Sequence, residues 1–386
     1  MESNNKILYL DNAATSWPKP EKVYKAAENY LRYLSGNPGR SGSTSLEAER
    51  FLYNAREKIA SFFQVKDPSR IIFAYNATDA LNTALKGLLE PGDHVIYTAM
   101  EHNSVLRPLG RLRREGIITT TMVPCNHEGD IDLDFLEQSF QSNTRLVVFT
   151  QASNICGKIL PYQNIVEITH KNGALSLMDA AQTAGSIPIN ANEVDLMAFT
   201  GHKSLMGPPG TGGLYVGEDI DLKPWREGGT GSHSDLDYQP PNMPERLEAG
   251  TNNGPGIAGL VEGINFIEEI GISHINEHEN KLTSYLLEGL SEISGIKLFT
   301  PQIPSERVSV VSFLLDGIDP GELGDVLESV FGIISRTGLH CAPLAHQSLG
   351  TYPAGTVRLS PGYFNTIQDI DYVIHALREI VSLKKQ

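Results

Sequence analysis

The chain is poor in the features that mark secreted, membrane-spanning and nucleic-acid-binding proteins. Three cysteines in 386 residues are too few and odd in number for a disulfide framework, which favours a cytoplasmic location. No apolar run approaches the roughly 18 residues that span a bilayer, and no secretory signal opens the chain. Positive charge is scarce, because 31 basic residues face 46 acidic ones. We therefore expect no attraction to nucleic acid or to an anionic membrane.

Motifs for nucleotide and metal binding are also missing. The glycine-rich stretch at 199–213 matches neither G-x-x-x-x-G-K-[ST] nor G-x-G-x-x-G, so it is not a nucleotide phosphate loop. His274 and His278 are four residues apart on a predicted helix, and Cys341 and His346 form a second pair. Neither pair has further ligands at familiar zinc spacings, so we expect no metal site.

Short apolar runs alternate with helical patterns through the first two-thirds of the chain. Strands separated by helices predict an α/β fold in which helices cover a mixed, mostly parallel sheet. We expect a large domain at 16–255 and a smaller α+β domain formed by 1–15 and 256–386. The long, aperiodic segment 227–256 is of a kind that is often functional. The strand-like runs are IIFAY (71–75), HVIYTAM (94–100), LVVFTQ (146–151), ALSLMD (174–179), DLMAFT (195–200) and GGLYVG (212–217).

A lysine and an aspartate follow neighbouring predicted strands. Asp179 ends one strand, and Lys203 lies just past the next, beside His202 and before a glycine-rich turn. Strand ends are where α/β sheets bind ligands. A lysine that is partly desolvated there has a lowered pKa and can form a Schiff base. Pyridoxal phosphate (PLP) needs such a lysine and also a carboxylate against its pyridinium nitrogen.

These segments resemble the class V, fold-type I PLP enzymes. The resemblance rests on MDAAQTAG (178–185), FTGHKSLMGPPGTGG (199–213), YLDNAAT near the N-terminus and EAGTNN (248–253), and it runs essentially end to end. RTGLHCAPLAH (336–346) resembles the catalytic-cysteine segment of group II cysteine desulfurases and selenocysteine lyases. The resemblance implies a homodimer with active sites at the interface, in a setting of sulfur metabolism and iron–sulfur cluster assembly.

The resemblance assigns four residues to the cofactor ring. Lys203 would carry PLP as a Schiff base, and Asp179 would contact the pyridine nitrogen. Gln182 would donate to the phenolic oxygen. His102, in MEHNS (100–104), would stack on the ring and supply apolar contact that fixes its plane.

The phosphate group requires hydroxyls, backbone N–H groups and preferably a helix N-terminus. Thr78 opens a predicted helix directly after a strand, so it suits the phosphate and also an ordinary N-cap role. By resemblance, Thr200 and His202 are further phosphate contacts. Thr251, in EAGTNN, would reach the phosphate of the neighbouring subunit.

The resemblance also assigns the substrate side of the site. Arg358 would bind the substrate α-carboxylate through two parallel hydrogen bonds, with Arg336 as a second candidate. Asn154 would lie near both substrate and cofactor. Lys203 would remove the α-proton of L-cysteine, and Cys341 would attack the substrate sulfur and become a persulfide. L-alanine would leave, and a sulfur-acceptor protein would collect the persulfide.

Three positions depart from the family pattern. Leu339 stands where the group II segment usually has a first histidine, and NPGRSGS (37–43) replaces a segment that usually contains a histidine. Ala77 stands beside Thr78 where a second threonine is common. These departures concern the substrate and the sulfur acceptor more than PLP binding.

Several other functions remain open from sequence alone. The chain could be a selenocysteine lyase, or a class V aminotransferase or lyase that acts on another small amino acid with Cys341 incidental. A PLP-binding sulfur carrier without turnover is a further alternative. The presence of Lys203, Asp179, His102 and Arg358 together favours an active enzyme over such a carrier.

Overall fold

The structure is a computed structural model and describes residues 7–34, 36 and 42–384. Its helices are α1 Glu21–Tyr33, α2 Ser43–Phe62, α3 Ala77–Leu88, α4 Asn103–Arg114, α5 Leu133–Gln138, α6 Tyr162–Lys171, α7 Gly254–Ile270, α8 Ile272–Ser291, α9 Pro320–Phe331, α10 Pro343–Ser348 and α11 Ile367–Lys384. Its strands are β1 Leu8–Tyr9, β2 Ile71–Ala74, β3 His94–Thr98, β4 Thr119–Val123, β5 Thr144–Thr150, β6 Leu175–Asp179, β7 Leu196–Thr200, β8 Gly212–Val216, β9 Ile296–Leu298, β10 Val311–Leu315, β11 Ile333–Ile334, β12 Arg336–Gly338 and β13 Thr356–Leu359.

The main sheet has the strand order β2-β8-β7-β6-β5-β3-β4. Strands β4, β3, β5, β6 and β7 run parallel to one another, whereas β8 is antiparallel to both β7 and β2. A side chain at Gly212 would collide with the backbone, because its Cβ would lie 2.8 Å from Asn76 Cα. Glycine there lets β8 pack against the start of α3. The expected α/β class with a mixed, mostly parallel sheet is confirmed.

Helices cover both faces of the central strands, so the side chains that alternate along these strands are buried on either side of the sheet. In β5, Val147 and Phe149 pack in one core, whereas Leu146 and Val148 pack in the other. The helical pattern between the strands supplies the covering layers. The parallel strands therefore all end at one buried edge, where β6 and β7 deliver Asp179 and Thr200.

A second, antiparallel sheet has the order β12-β13-β10-β9 and packs against α8, α9 and α11. Strand β1 pairs in parallel with β11, so residues 8 and 9 join the C-terminal part of the chain. Helix α7, in contrast, packs in the core of the main sheet through residues such as Leu260 and Ile264. The division into 16–255 and 1–15 with 256–386 stays a prediction. In the described chain, no helix is long and apolar enough to cross a membrane.

Candidate active site

A cavity of about 220 Å³ lies where the strand ends of the main sheet meet the second sheet. It brings together residues that are far apart in sequence, from β6, β7, β12, β13 and the starts of α3 and α4. Most of the predicted site residues line it, namely Thr78, His102, Asn154, Asp179, Gln182, Thr200, His202, Lys203, Arg336 and Arg358. His340, the residue before Cys341, lines it as well.

Lys203 and Asp179 form the charged centre of this cavity. Burial lowers the pKa of Lys203 to about 8, and the positive charges of Arg358 and Arg336 act in the same direction, while Asp179 opposes them. Burial also raises the pKa of Asp179. Two contacts lower it in part: Asp179 accepts a hydrogen bond from the Ala181 N–H, and the charge of Lys203 lies nearby. A lysine of this kind is neutral far more often near neutral pH than an exposed lysine, so it can act as a nucleophile or base.

His102 caps α4 and faces the cavity as a neutral imidazole. Its Nδ1 accepts a hydrogen bond from the Ser104 N–H at 3.1 Å and lies 2.8 Å from Ser104 Oγ. Burial lowers the pKa of His102 to about 4, with the charge of Lys203 contributing. Because Nδ1 is an acceptor, the neutral ring carries its proton on Nε2. Ser104 Oγ also lies 2.7 Å from Thr78 Oγ1 at the start of α3, so the three polar groups form one network.

Two arginines face the cavity from neighbouring strands. Arg336 in β12 and Arg358 in β13 are directly paired across the antiparallel register, which holds two like charges side by side. Arg358 donates to Asp11 Oδ1 at 2.6 Å and to the Asn154 carbonyl at 2.9 Å. Its buried Nε has no hydrogen-bond partner in the described structure. This arrangement can bind an anion such as a carboxylate.

Cys341 is exposed and lies on a turn directly after His340, which lines the cavity. Its carbonyl accepts a hydrogen bond of 2.7 Å from the Asn103 N–H, next to His102. The preceding carbonyl, of His340, accepts a hydrogen bond of 2.8 Å from Asn154 Nδ2. Cys341 is therefore joined to the cavity through backbone contacts, while the residue is exposed to solvent.

The remaining predicted residues differ in their surroundings. Gln182 Nε2 donates to the Ala13 carbonyl at 3.3 Å, and Thr200 Oγ1 lies 3.5 Å from the Thr211 carbonyl. Burial lowers the pKa of His202 to about 4, helped by the charge of Lys203. Thr251 lies outside this cavity, in a separate one of about 50 Å³. Its predicted contact with a neighbouring subunit stays a prediction.

Some residues at the site carried no sequence assignment. Lys19 Nζ donates to the His202 carbonyl at 2.8 Å and to Ser16 Oγ at 2.7 Å, and burial lowers its pKa to about 7. Asp11 pairs with Arg358, and Ser104 joins Thr78 to His102. Ser104 lies in the segment MEHNS (100–104), so its position next to His102 could have pointed to it. Lys19 had none, because only the tertiary fold brings it beside His202.

Two of the departures from the family pattern, and the histidines considered for metal binding, can be compared with the structure. Residues 37–41 of the segment NPGRSGS lie outside the described part of the chain. Ala77 begins α3 and lines the cavity beside Thr78. The histidine pairs considered for metal binding have other partners: His274 and His278 contact backbone carbonyls, and His346 contacts His340 and Thr351. Among the described residues, no group of three or more His, Cys, Asp or Glu side chains is placed to hold a metal ion.

The donor set matches the groups that PLP requires. A buried amine and a buried carboxylate lie in one cavity at Lys203 and Asp179, and a neutral imidazole faces it at His102. Hydroxyls at the start of α3 suit a phosphate, because Thr78 lies in its first turn. The unpartnered Nε of Arg358 adds a buried donor that is free for an anion.

Comparison with known proteins identifies the family of this chain. The model of the family described as Aminotransferase class-V matches residues 8–373. This chain therefore belongs to aminotransferase class V, a family of PLP-dependent enzymes. The resemblance predicted from the motifs is confirmed.

The relatives are more specific than the family. A protein of Methanothermobacter thermautotrophicus named probable cysteine desulfurase is 35% identical over 386 residues, covering 97% of this chain and 95% of the relative. A probable cysteine desulfurase of Halalkalibacterium halodurans is 33% identical, covering 97% of this chain and 93% of its own length. The apo structure of a cysteine desulfurase from Thermococcus onnurineus NA1 has a TM-score of 0.92 at 32% identity, covering 98% of this chain and 95% of that one.

Proposed function

We propose that this chain is a PLP-dependent cysteine desulfurase, which converts L-cysteine to L-alanine and takes the sulfur as a persulfide on Cys341. The observation that carries the proposal is the position of Asn154. Its carbonyl accepts from Arg358, and its side-chain amide donates to the carbonyl of His340, which precedes Cys341. One residue therefore links the candidate carboxylate-binding arginine to the turn that carries the candidate sulfur acceptor.

The cofactor would be held by residues from several elements. Lys203 would bind it covalently as a Schiff base, Asp179 would face its ring nitrogen, and His102 would stack on its ring. Gln182 would donate to the phenolic oxygen. The phosphate would be bound by Thr78, Thr200 and His202, and by Thr251 of the neighbouring subunit.

When bound, PLP supplies an electron sink for the electron pair that remains after the substrate loses its α-proton. Lys203 would take that proton at Nζ, since burial lowers its pKa to about 8. Arg358, and Arg336 beside it, would hold the substrate carboxylate and so fix the orientation of the α-carbon. His102 would keep water from one face of the reacting centre.

The sulfur step would belong to Cys341. Its thiolate would form a bond to the substrate sulfur while the bond between that sulfur and the substrate β-carbon breaks. Thiol plus L-cysteine then gives persulfide plus L-alanine, which balances without an added oxidant or reductant. The exposed position of Cys341 would let an acceptor protein remove the persulfide sulfur. Persulfide chemistry with three free cysteines suits the reducing cytoplasm.

The test compares wild-type holoenzyme with Cys341→Ala, and with Cys125→Ala as a matched control at a partly buried thiol away from the cavity. Visible spectra report the cofactor, and alanine and sulfide are assayed from L-cysteine with a reductant. We expect the cofactor band in all three proteins, and alanine and sulfide in the wild type and Cys125→Ala only. Alanine formation that survives in Cys341→Ala would contradict sulfur transfer to this residue. Absence of the band after PLP is added would contradict the role of Lys203.

A further inference from the structure

The turn that carries Cys341 has an unusual backbone. His340 has φ +47° and Cys341 has φ +60°, so two consecutive residues with side chains occupy the left-handed region. L-residues adopt this conformation rarely, and persist in it only where the surrounding structure imposes it. The contacts that hold this turn therefore decide where the Cys341 sulfur points.

Two of these contacts lie on the backbone of the turn, namely the hydrogen bonds from Asn154 to the His340 carbonyl and from the Asn103 N–H to the Cys341 carbonyl. The third is made by the His340 side chain, which is 4% exposed and points into the protein. His340 Nδ1 lies 3.3 Å from His346 Nε2, and His346 Nδ1 lies 2.6 Å from Thr351 Oγ1.

The groups at the two ends of this hydrogen-bonded series, the Arg336 carbonyl and the Thr351 hydroxyl, fix which nitrogen of each histidine donates. His340 Nε2 lies 3.3 Å from the Arg336 carbonyl, which can only accept, so Nε2 carries the proton. In a neutral imidazole Nδ1 is then an acceptor, and it must receive the proton of His346 Nε2. His346 Nδ1 in turn accepts from the Thr351 hydroxyl.

Both imidazoles are kept neutral by their surroundings. Burial lowers the pKa of His346 to about 4, while contact with the Leu339 backbone acts weakly the other way. The pKa of His340 is lowered further by burial and by the charges of Arg358 and Arg336. With its proton committed to the Arg336 carbonyl and its lone pair to His346, His340 is not free to take the Cys341 proton.

We propose that His346 is a positioning residue for sulfur transfer: hydrogen-bonded between Thr351 and His340, it fixes the turn that presents Cys341 to the substrate. The inference rests on the proposed function for the role of Cys341. His346 belongs to α10, which begins directly after the turn, and Thr351 follows that helix. The helix therefore holds the side chain that fixes the turn preceding it.

Four variants of the holoenzyme separate the hydrogen bonds from the bulk of the side chain. His346→Gln places an amide N–H where Nε2 donates to His340. His346→Asn is of similar polarity but too short for that donor. Thr351→Ser keeps the hydroxyl that contacts His346, and Thr351→Val removes it with little change in volume.

Two rates are measured for each variant. The first is single-turnover formation of the Cys341 persulfide from L-cysteine, followed by mass spectrometry. The second is exchange of the α-proton of L-alanine in D₂O, which needs the cofactor and Lys203 but no thiol. We expect His346→Asn and Thr351→Val to lower the first rate about tenfold, as for one lost hydrogen bond, and to leave the second within about twofold. We expect His346→Gln and Thr351→Ser to retain most of both.

Three results would overturn the inference. Persulfide formation at the wild-type rate in His346→Asn would show that the contact does not position Cys341. An equal fall in both rates would show a general structural role instead. A wild-type enzyme that exchanges the α-proton of L-alanine but forms no persulfide would overturn the proposed function itself, and this result is distinguishable because it needs no variant.

Discussion

Glu101 is a buried acid directly before His102. Its Oε1 accepts from Thr98 Oγ1 at 2.6 Å and from the Thr150 N–H at 2.9 Å, so it joins β3 to β5 beneath the cavity. Burial raises its pKa to about 8, with a smaller contribution from the charge of Asp179. The carboxyl group is therefore neutral at pH 7 in the folded protein, although it is ionised in the unfolded chain.

This difference predicts how stability changes with pH. Between the unfolded pKa, about 4.3, and the folded value of about 8, the folded state binds more protons than the unfolded state. Glu101 therefore makes the wild type lose stability as pH rises through that window. Glu101→Gln lacks this loss, so we expect its free energy of unfolding to improve relative to the wild type from about pH 5 to about pH 8. Urea unfolding across this range checks it, and a constant difference would refute the assignment.

Arg358 offers a second test at single-residue scale. Arg358→Lys keeps one positive charge but replaces the planar fork with a point charge, so it cannot hold a carboxylate through two parallel hydrogen bonds. We expect the KM for L-cysteine to rise about tenfold or more, with a smaller change in kcat. Steady-state rates measure both constants.

Arg307→Lys is the matched control for the loss of a buried guanidinium. Arg307 is 1% exposed and donates to the Pro301 carbonyl and Ser284 Oγ, away from the cavity. Its substitution should leave the KM unchanged. An unchanged KM in Arg358→Lys as well would exclude a two-bond contact to the substrate carboxylate.

At the scale of secondary-structure elements, a buried ion pair joins α2 to the segment that leads into α7. Arg56 Nη1 lies 2.7 Å from Glu248 Oε1, and Arg56 Nη2 lies 3.0 Å from Glu248 Oε2. Glu248 also accepts from the Phe73 N–H of β2 at 2.7 Å and from Asn252 Nδ2 at 3.1 Å. The pair thus fixes EAGTNN (248–253) against the main sheet.

Glu248→Ala leaves the Arg56 charge buried without its partner. We expect the free energy of unfolding to fall by about 3–5 kcal/mol. Glu269→Ala is the control, because its ion pair with Lys22 is exposed, at 61% and 59%, and its loss should change stability far less. Urea unfolding at one protein concentration compares them. Equal losses of stability would mean that the buried Arg56–Glu248 pair contributes no more to the free energy of unfolding than an exposed pair.

Elements that belong to strong local patterns were predictable from the sequence. Short continuous apolar runs between helical patterns predicted β5, β6 and β7, and the rule that ligands bind at strand ends pointed to Asp179 and Lys203. The short strand β12 has no such pattern, so its pairing with β13, which sets Arg336 beside Arg358, could not be predicted.

Other features of the site were set by tertiary packing alone. The direction of the His346 hydrogen bonds depends on a carbonyl at Arg336, ten residues earlier in the chain. No spacing rule identifies which backbone carbonyl a buried histidine will meet. The same holds for Asn154, whose motif suggested a place near the substrate but not its contact with the turn before Cys341.

At the scale of the whole molecule, α2 exposes two large apolar side chains beside an open cavity. Leu46 and Tyr53 are seven residues apart, on one face of the helix, and are 49% and 57% exposed. Both line an open cavity of about 620 Å³ together with residues of the segment that includes Thr230, Gly250 and Asn252. Thr251, the residue predicted to serve the neighbouring subunit, therefore lies between two residues of this surface, Gly250 and Asn252.

A homodimer would bury this surface and bring Thr251 toward the partner's phosphate site. Burying the exposed halves of Leu46 and Tyr53 would stabilise the dimer by about 1 kcal/mol each, and two buried carboxylates would oppose association, so the double variant Leu46→Glu/Tyr53→Glu should be monomeric and should retain PLP less well. Val330→Glu, at a residue 62% exposed in α9, is the control and should leave the dimer intact. Sedimentation velocity gives the oligomeric state, and visible absorbance after dialysis gives the PLP content. A monomeric wild type would exclude the homodimer. A double variant that stays dimeric would show that the dimer interface does not include Leu46 and Tyr53.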